Sequence, residues 1–357
     1  MISQPEMNFS LDLLSWYALH KRDLPWRHTK DAYFIWLSEV IMQQTRIEQG
    51  LPYYEKFVET YPTVNELASA DEQDVLKLWQ GLGYYSRARN LHAAAKVVAD
   101  DYAGIFPQSY DDIRKLKGIG EYTAAAIASI CFDLPYAVVD GNVIRFISRL
   151  FGITESVDTA ETKKKILSIA TECLDPLNPG DYNQAMMEFG ATVCTPVKPG
   201  CEDCIFKSAC WAYLSHMVDE IPLRKSKVAV RERYIHYLVL TYTQEGEDFI
   251  YLNKRTGSDI WRNLYDFPCL ELTAEKNTGI LPLQSFTSLL NTSAAVLGNV
   301  TDEYIHLLTH QKLHVRFYRV HIPEKIELPF IPVKVSDLSA YPVPRLIDRY
   351  VLAQDWI

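Results

Sequence analysis

The segment Leu116-Lys-Gly-Ile-Gly-Glu-Tyr-Thr-Ala124 decides how the first part of this sequence folds. Gly118 and Gly120 stand directly before Ala124-Ala-Ala-Ile-Ala-Ser-Ile130, a run of small and apolar residues suited to a helix. Glycines with permissive backbone angles let consecutive N–H groups point outward at a helix N-terminus, which takes up a phosphate oxygen. As a plain turn between two helices the same segment would be commonplace. What raises it is the stretch that follows, Leu134-Pro-Tyr-Ala-Val-Val-Asp140-Gly-Asn-Val-Ile-Arg145, where an acid sits on a tight turn between an apolar run and another helix.

Outward from this hairpin, residues 1–222 read as helices almost throughout. Leu11, Leu14 and Ala18 follow a helical spacing, and Tyr33 to Ile41 is apolar nearly all round, as in a buried helix. Breaks at Pro62, Gly81, Gly83, Gly104, Pro107, Gly152 and Pro176 to Gly180 divide the region into about ten short helices. Residues 223–229 are short and basic and read as a linker. Over 230–357 the texture changes to β-type runs at Tyr234–Tyr242, Phe249–Leu252, Val315–Ile322 and Phe330–Val335, broken by helices near Leu281–Leu290 and Pro344–Leu352. The expectation is an all-α first domain and a smaller α+β second domain.

Thirty-six Lys+Arg against 45 Asp+Glu give a net charge of −9. That excludes a basic, nonspecific nucleic-acid coat, although positive charge confined to one groove still acts within a Debye length. The N-terminus lacks a basic segment followed by an apolar run, and no stretch is long enough to span a membrane, which points to the cytoplasm.

Four of the seven cysteines, Cys194, Cys201, Cys204 and Cys210, are spaced C-x6-C-x2-C-x5-C. Four thiols this close in a cytosolic protein suggest a metal site and not disulfides. Zinc and a [4Fe–4S] cluster both accept four sulfurs, and the long first arm suits wrapping the larger group. Cys131, Cys173 and Cys269 are scattered and read as buried small hydrophobes.

With the hairpin, then Val138-Val-Asp-Gly-Asn-Val143, then the cysteine motif in this order, the chain resembles the endonuclease III superfamily of DNA glycosylases, and within it the MutY-type adenine DNA glycosylases. Leu24-Pro-Trp-Arg27, Ser38-Glu-Val-Ile-Met-Gln-Gln-Thr45 and Gly81-Leu-Gly-Tyr-Tyr-Ser-Arg-Ala-Arg-Asn90 extend the resemblance over nearly the whole length. The implied fold is an all-α helix-hairpin-helix glycosylase domain with a [4Fe–4S] loop at 194–210, followed by a Nudix-like domain. The implied activity is base-excision repair: hydrolysis of the N-glycosidic bond of adenine mispaired with 8-oxoguanine or guanine in double-stranded DNA. The chain would act as a monomer, associated with the nucleoid through DNA.

That reaction needs one carboxyl to protonate the departing base and another, ionised, to stabilise the oxocarbenium-like sugar. Glu39 lies inside an apolar helix, where burial would keep it protonated, or else it reaches solvent. Asp140 alone would more often be a turn residue or helix cap. The resemblance makes Glu39 the acid and Asp140 the cation stabiliser, with Asn142 ordering the site. Strand-cutting relatives carry a Schiff-base lysine where this chain has Tyr122, so base removal without an efficient lyase step is implied. Arg22, Leu24, Trp26 and Arg27 resemble the pocket for the flipped adenine, Gln44 and Tyr84 the residues inserted into the duplex, and Gly118, Gly120 and Lys117 the phosphate grip.

In the second domain, Ile260-Trp-Arg-Asn-Leu-Tyr-Asp-Phe-Pro268 resembles the lead-in of Nudix folds, but Cys269-Leu-Glu-Leu-Thr-Ala-Glu275 lacks the glutamate-rich box that holds magnesium. Leu308-Thr309-His310 stands where the family's Phe-Ser-His reads 8-oxoguanine. Threonine keeps the hydroxyl and leucine an apolar wedge.

Overall fold

The computed structural model describes residues 8–224, 230–276, 279–290 and 294–354. Among them, twelve helices precede the expected linker: α1 (Phe9–His20), α2 (Ala32–Met42), α3 (Ile47–Thr60), α4 (Val64–Ser69), α5 (Glu72–Leu78), α6 (Ser86–Asp101), α7 (Tyr110–Lys115), α8 (Glu121–Phe132), α9 (Gly141–Phe151), α10 (Ala160–Glu172), α11 (Pro179–Thr192) and α12 (Trp211–Leu214). No described helix is long and apolar enough to cross a membrane.

The composition of α8 follows from its position. Every residue from Thr123 to Ile130 is buried, and α2, α7 and α11 all pack against it. Alanine and serine let these axes approach where bulkier side chains would hold them apart. Short polar residues start the surrounding helices. Asp31 caps α2, Ser109 caps α7, Asp140 caps α9 and Thr159 caps α10, each accepting a backbone N–H of the first turn. Each such cap contributes roughly 1 kcal/mol. Between α7 and α8 the Ile119 amide donates to Leu116 at 3.1 Å, and Gly118 turns the chain at φ +83.

On α1 the buried residues are Leu13, Trp16 and Tyr17. The spacing at Leu11, Leu14 and Ala18 does not mark the inner face, since Leu11 and Ala18 are exposed. Leu13 and Tyr17 join Phe146, Tyr182, Phe189 and Phe206 in a core that also receives Cys194, Cys204 and Cys210.

The C-terminal sheet has eight strands among the described residues: β1 (Arg231–Gln244), β2 (Glu247–Lys254), β3 (Tyr265–Asp266), β4 (Cys269–Leu272), β5 (Val296–Val300), β6 (Tyr304–Leu307), β7 (Gln311–His321) and β8 (Ile331–Lys334). Its central path is β3-β2-β1-β7-β5, with β4 on β1, β6 on β7 and β8 on β2. β1 and β7 run parallel, in register from Arg231 opposite Gln311 to Thr241 opposite His321. The expected runs Tyr234–Tyr242 and Phe249–Leu252 fall within β1 and β2, while Val315–Ile322 and Phe330–Val335 overlap β7 and β8 and overrun their ends. The expected helix over 281–290 is instead a 3-10 turn at Leu283–Phe286 leading into α13 (Thr287–Leu290), while α14 (Arg345–Leu352) forms as expected.

The chain divides into two compact units, one of Met1–Ser69 with Asn90–Ser226 and the other of Ala70–Arg89 with Lys227–Ile357. The expected boundaries 1–222 and 230–357 keep residues 70–89 with the helices, whereas by their contacts these residues group with the C-terminal sheet. Gln80 Nε2 donates to Asp348 at 3.0 Å, and the Tyr85 hydroxyl donates to the Val343 carbonyl at 3.3 Å. Of the linker expected at 223–229, residues 225–229 lie outside the described residues.

Gly152 ends α9 at φ +68, and a Cβ there would stand 2.5 Å from the Trp211 ring. Gly152→Ala is expected to destabilise the first unit by about 1–3 kcal/mol. Urea unfolding of the full chain, followed by circular dichroism, would show a lower midpoint, and an unchanged midpoint would contradict this account.

Candidate active site

Asp140 sits at the start of α9 because its side chain substitutes for a missing turn of helix. Its Oδ1 accepts from the Asn142 and Val143 amides at 2.9 and 2.7 Å. Asn142 Nδ2 donates to Oδ2 at 2.7 Å, and Arg145 in turn holds Asn142 Oδ1 at 3.0 Å. Burial raises the Asp140 pKa, and these donors work against that rise. The helix cap is therefore what the structure shows at Asp140.

Glu39 lies on α2 between buried Ser38 and Val40. Its pKa is raised to about 7, chiefly by desolvation, with a hydrogen bond to Tyr122 opposing the rise and the charge of Asp140 adding to it. The Tyr122 hydroxyl lies 3.4 Å from the Met187 sulfur, and burial with the nearby Glu39 and Asp140 charges keeps it a neutral phenol. The site therefore holds two acids in unequal settings. Asp140 has three donors for its charged form, while Glu39 has one partner and an apolar helix around it. Environments that push two carboxyls apart in this way separate a proton donor from a standing charge.

Arg22 and Arg27 converge on Glu188 of α11, whose side chain is 1% exposed. Arg22 Nε and Nη2 donate to it at 2.8 and 2.7 Å, and Arg27 Nη2 at 2.7 Å. Burial would raise the Glu188 pKa, but these hydrogen bonds override it and hold the carboxyl at about 2. Leu24 is buried, and Trp26 meets Tyr54 edge-on at 5.1 Å. The short 3-10 turn Pro25–Arg27 that carries Trp26 packs against α2, the helix of Glu39.

Gln44 and Tyr84 are exposed, and both adopt left-handed backbone angles, φ 55 and φ 47. Non-glycine residues hold such angles at a cost and cluster at functional positions. Lys117 is exposed on the hairpin, and nothing lies within 4 Å of where a Cβ of Gly120 would stand.

Cys194, Cys201, Cys204 and Cys210 line one cavity with Arg149, Phe146 and Phe206. Arg149 Nη1 lies 3.5 Å from Cys194 Sγ, and Arg145 Nε donates to the Cys194 carbonyl at 2.7 Å. Among the described residues no group of three or more His, Cys, Asp or Glu side chains is arranged to hold a metal ion. Cys131, Cys173 and Cys269 are half-buried thiols rather than fully buried ones.

In the second unit Leu308 and Gln311 close a two-residue turn between β6 and β7, with the Leu308 amide donating to Gln311 at 2.8 Å. Thr309 and His310 form its tip, and the Thr309 hydroxyl meets that of Tyr84. Leu308, Thr309, His310, Tyr84 and Trp261 line a cavity of about 400 Å³.

Residues 37–172 match the HhH-GPD superfamily base excision DNA repair protein, and residues 237–353 match the NUDIX domain. The adenine DNA glycosylase of Buchnera aphidicola subsp. Acyrthosiphon pisum (strain APS) is 33% identical over 325 residues, 90% of this chain and 87% of that protein. The chain belongs to the adenine DNA glycosylase family. The Mus musculus adenine DNA glycosylase is likewise 33% identical, over 88% of this chain and 71% of that one. A thermostable thymine-DNA glycosylase structure superposes with TM-score 0.54 at 30% identity, but over only 58% of this chain and 95% of that one. An endonuclease III trapped in a covalent intermediate with DNA shares the fold, at TM-score 0.50, 21% identity and the same 58% and 95% coverage. The curated adenine glycosylases match well beyond that portion, so the chain is a DNA N-glycosylase of the adenine class.

Sequence reasoning missed Glu188 as the anchor of this glycosylase's paired arginines. Its signal was the one that exposed Glu39, a carboxyl among apolar helix neighbours, here Met186, Met187 and Phe189. Glu39 also carries a consequence for stability. Its folded pKa, about 7, lies above the ordinary value of 4.5, so the unfolded chain loses this proton first and stability falls as pH rises between those values. Glu39→Gln removes that loss. Above pH 8 the variant is expected to be more stable than the parent by up to about 3 kcal/mol, converging with it below pH 4. Denaturant titrations across pH check this, and equal stabilities at pH 8 would contradict it.

Proposed function

We propose that this glycosylase removes adenine mispaired with 8-oxoguanine or guanine in double-stranded DNA, by hydrolysis and without an efficient strand-cutting step. The observation that carries the reading is the pairing of Glu39, raised to about 7, with a capped and hydrogen-bonded Asp140. At neutral pH Glu39 holds a proton to deliver to a ring nitrogen of the flipped adenine, which turns a poor leaving group into a neutral one. Asp140 keeps its charge beside the sugar and stabilises the cation that forms as the bond breaks. Asn142 and Arg145 hold Asp140 in place. Tyr122 offers a phenol where a Schiff-base enzyme needs an amine, and its hydroxyl orients Glu39.

Arg22, Leu24, Trp26 and Arg27 form the adenine pocket, with Glu188 fixing both guanidinium groups. Gln44 and Tyr84 fill the gap left by the flipped base, at a stacking gain of roughly 1–3 kcal/mol for the aromatic. Gly118, Gly120 and Lys117 grip phosphate. Leu308, Thr309 and His310 read 8-oxoguanine opposite the adenine. The enzyme acts as a monomer on the nucleoid.

The cofactor is a [4Fe–4S] cluster on Cys194, Cys201, Cys204 and Cys210. Four thiols around one cavity, on a C-x6-C-x2-C-x5-C segment whose long first arm suits wrapping a larger group, fit a polynuclear group better than zinc. When bound, such a cluster supplies four iron–thiolate bonds that tie the 194–210 loop to the core, and a centre capable of one-electron chemistry.

Duplexes carrying adenine opposite 8-oxoguanine, guanine or thymine are expected to become alkali-labile at the adenine in the first two cases. Glu39→Gln should lower single-turnover excision about 10²–10⁴-fold with DNA binding retained. The parent rate should fall as pH rises through about 7. Intact strands throughout would sink the reading. For the cofactor, purified protein is expected to be brown and to carry iron and sulfide in equal amounts, both lost in Cys204→Ser. Zinc without iron would exclude the cluster.

A further inference from the structure

The turn at Leu308–Gln311 is held from beneath by an ionic network that does not touch the tip. Arg233 on β1 is 6% exposed, and its guanidinium is shared among three partners. Nε and Nη2 donate to Glu271 at 2.7 and 2.6 Å. Nη1 and Nη2 donate to Asp259 at 3.1 and 3.0 Å. Nη1 also donates to the side chain of Gln311 at 3.1 Å. Gln311 closes the turn through its backbone carbonyl, which accepts from Leu308 at 2.8 Å, and the Arg231 amide donates to the His310 carbonyl at 3.0 Å. In the parallel β1–β7 ladder Arg231 stands opposite Gln311, which places Arg233 two residues along the same face.

Asp259 is fixed in turn by Arg255, whose other arm reaches the fully buried Asp266 at 2.7 Å. Asn253 and Tyr237 also donate to Asp266. Arg233 therefore cannot drift toward or away from Gln311 without breaking bidentate pairs on a buried frame.

We infer that Arg233 and Gln311 are positioning residues for discrimination of the opposite base: they fix where Thr309 and His310 stand, and so set the preference for 8-oxoguanine over guanine. The inference rests on the proposed role of that turn. Hydrogen-bond readout tolerates errors of only about 0.5 Å before selectivity fades. Oxidised and unmodified guanine differ by one carbonyl and one N–H, so a loosened turn loses the distinction before it loses affinity for DNA.

The test uses the full chain and duplexes whose adenosine carries a 2′-fluorine, which slows bond breaking so that binding can be measured. Gln311→Ala leaves Arg233 with both carboxylates, so the frame stays paired. It is expected to lower the ratio of affinities for 8-oxoguanine over guanine about five- to tenfold, the scale of one well-placed hydrogen bond. Affinity for the adenine–guanine duplex, single-turnover excision from its unfluorinated counterpart and the unfolding midpoint should stay as in the parent. Gln311→Glu, which keeps an acceptor toward Arg233, should restore most of the ratio.

An unchanged ratio in Gln311→Ala overturns the inference. So does a parallel fall for both duplexes, which marks a general structural role. A parent chain without preference for 8-oxoguanine removes the role of the turn itself, and that outcome is distinguished because it appears before any substitution is made.

Discussion

Withdrawing the Glu39 carboxyl from water is the constraint on which the first unit turns. A carboxyl in water is a spectator at neutral pH, and nothing attached to it can make it an acid unless the surroundings penalise its charge. Those surroundings are α2 itself, apolar on nearly every side, and α8, thinned to alanine and serine so that α2 can lie against it. Tyr122, in the first turn of α8, hydrogen-bonds the carboxyl, and Gln43 ties the end of α2 to Thr123. The helix cap at Asp140 then supplies the complementary setting, a carboxyl surrounded by donors. Larger residues on α8 would part the helices and admit water to the Glu39 carboxyl.

Two arginine–carboxylate frames give the units their fixed polar geometry. In the first, Glu188 binds Arg22 and Arg27 together. In the second, Arg233 and Arg255 interlock with Asp259, Asp266 and Glu271. Buried pairs of this kind add little net stability, because desolvation offsets most of the attraction. Their value is geometric: a bidentate guanidinium permits few positions of its partners.

Much of this was legible in the residues. The glycine pair at 118 and 120 marked the hairpin, the apolar run at 33–41 marked α2, and the β-branched runs marked β1, β2, β7 and β8. What stayed hidden had physical reasons. Several stripes of α1 satisfy a helical period, so spacing could not tell Leu11 from Leu13. β5 and β6 are mostly exposed, and the register of β5 shifts between Leu297 and Val300, which erases the alternation that announces a strand. The partners of Glu188 lie more than a hundred residues away in sequence, as does the sheet that receives residues 70–89. Such pairings leave no local trace.

That last feature has a bearing on how the chain is made. A ribosome releases α5 and the turn through Tyr85 long before the first strand of the sheet they join, and β1 must itself wait for β7 to supply its parallel neighbour. The first unit is also interrupted, since Met1–Ser69 meets Asn90–Ser226 across this excursion. Its helices can condense while the inserted segment, with Trp79 and Tyr85 destined for burial, stays uncovered. Translation thus leaves apolar side chains of this segment exposed on a half-finished protein until the last strands emerge.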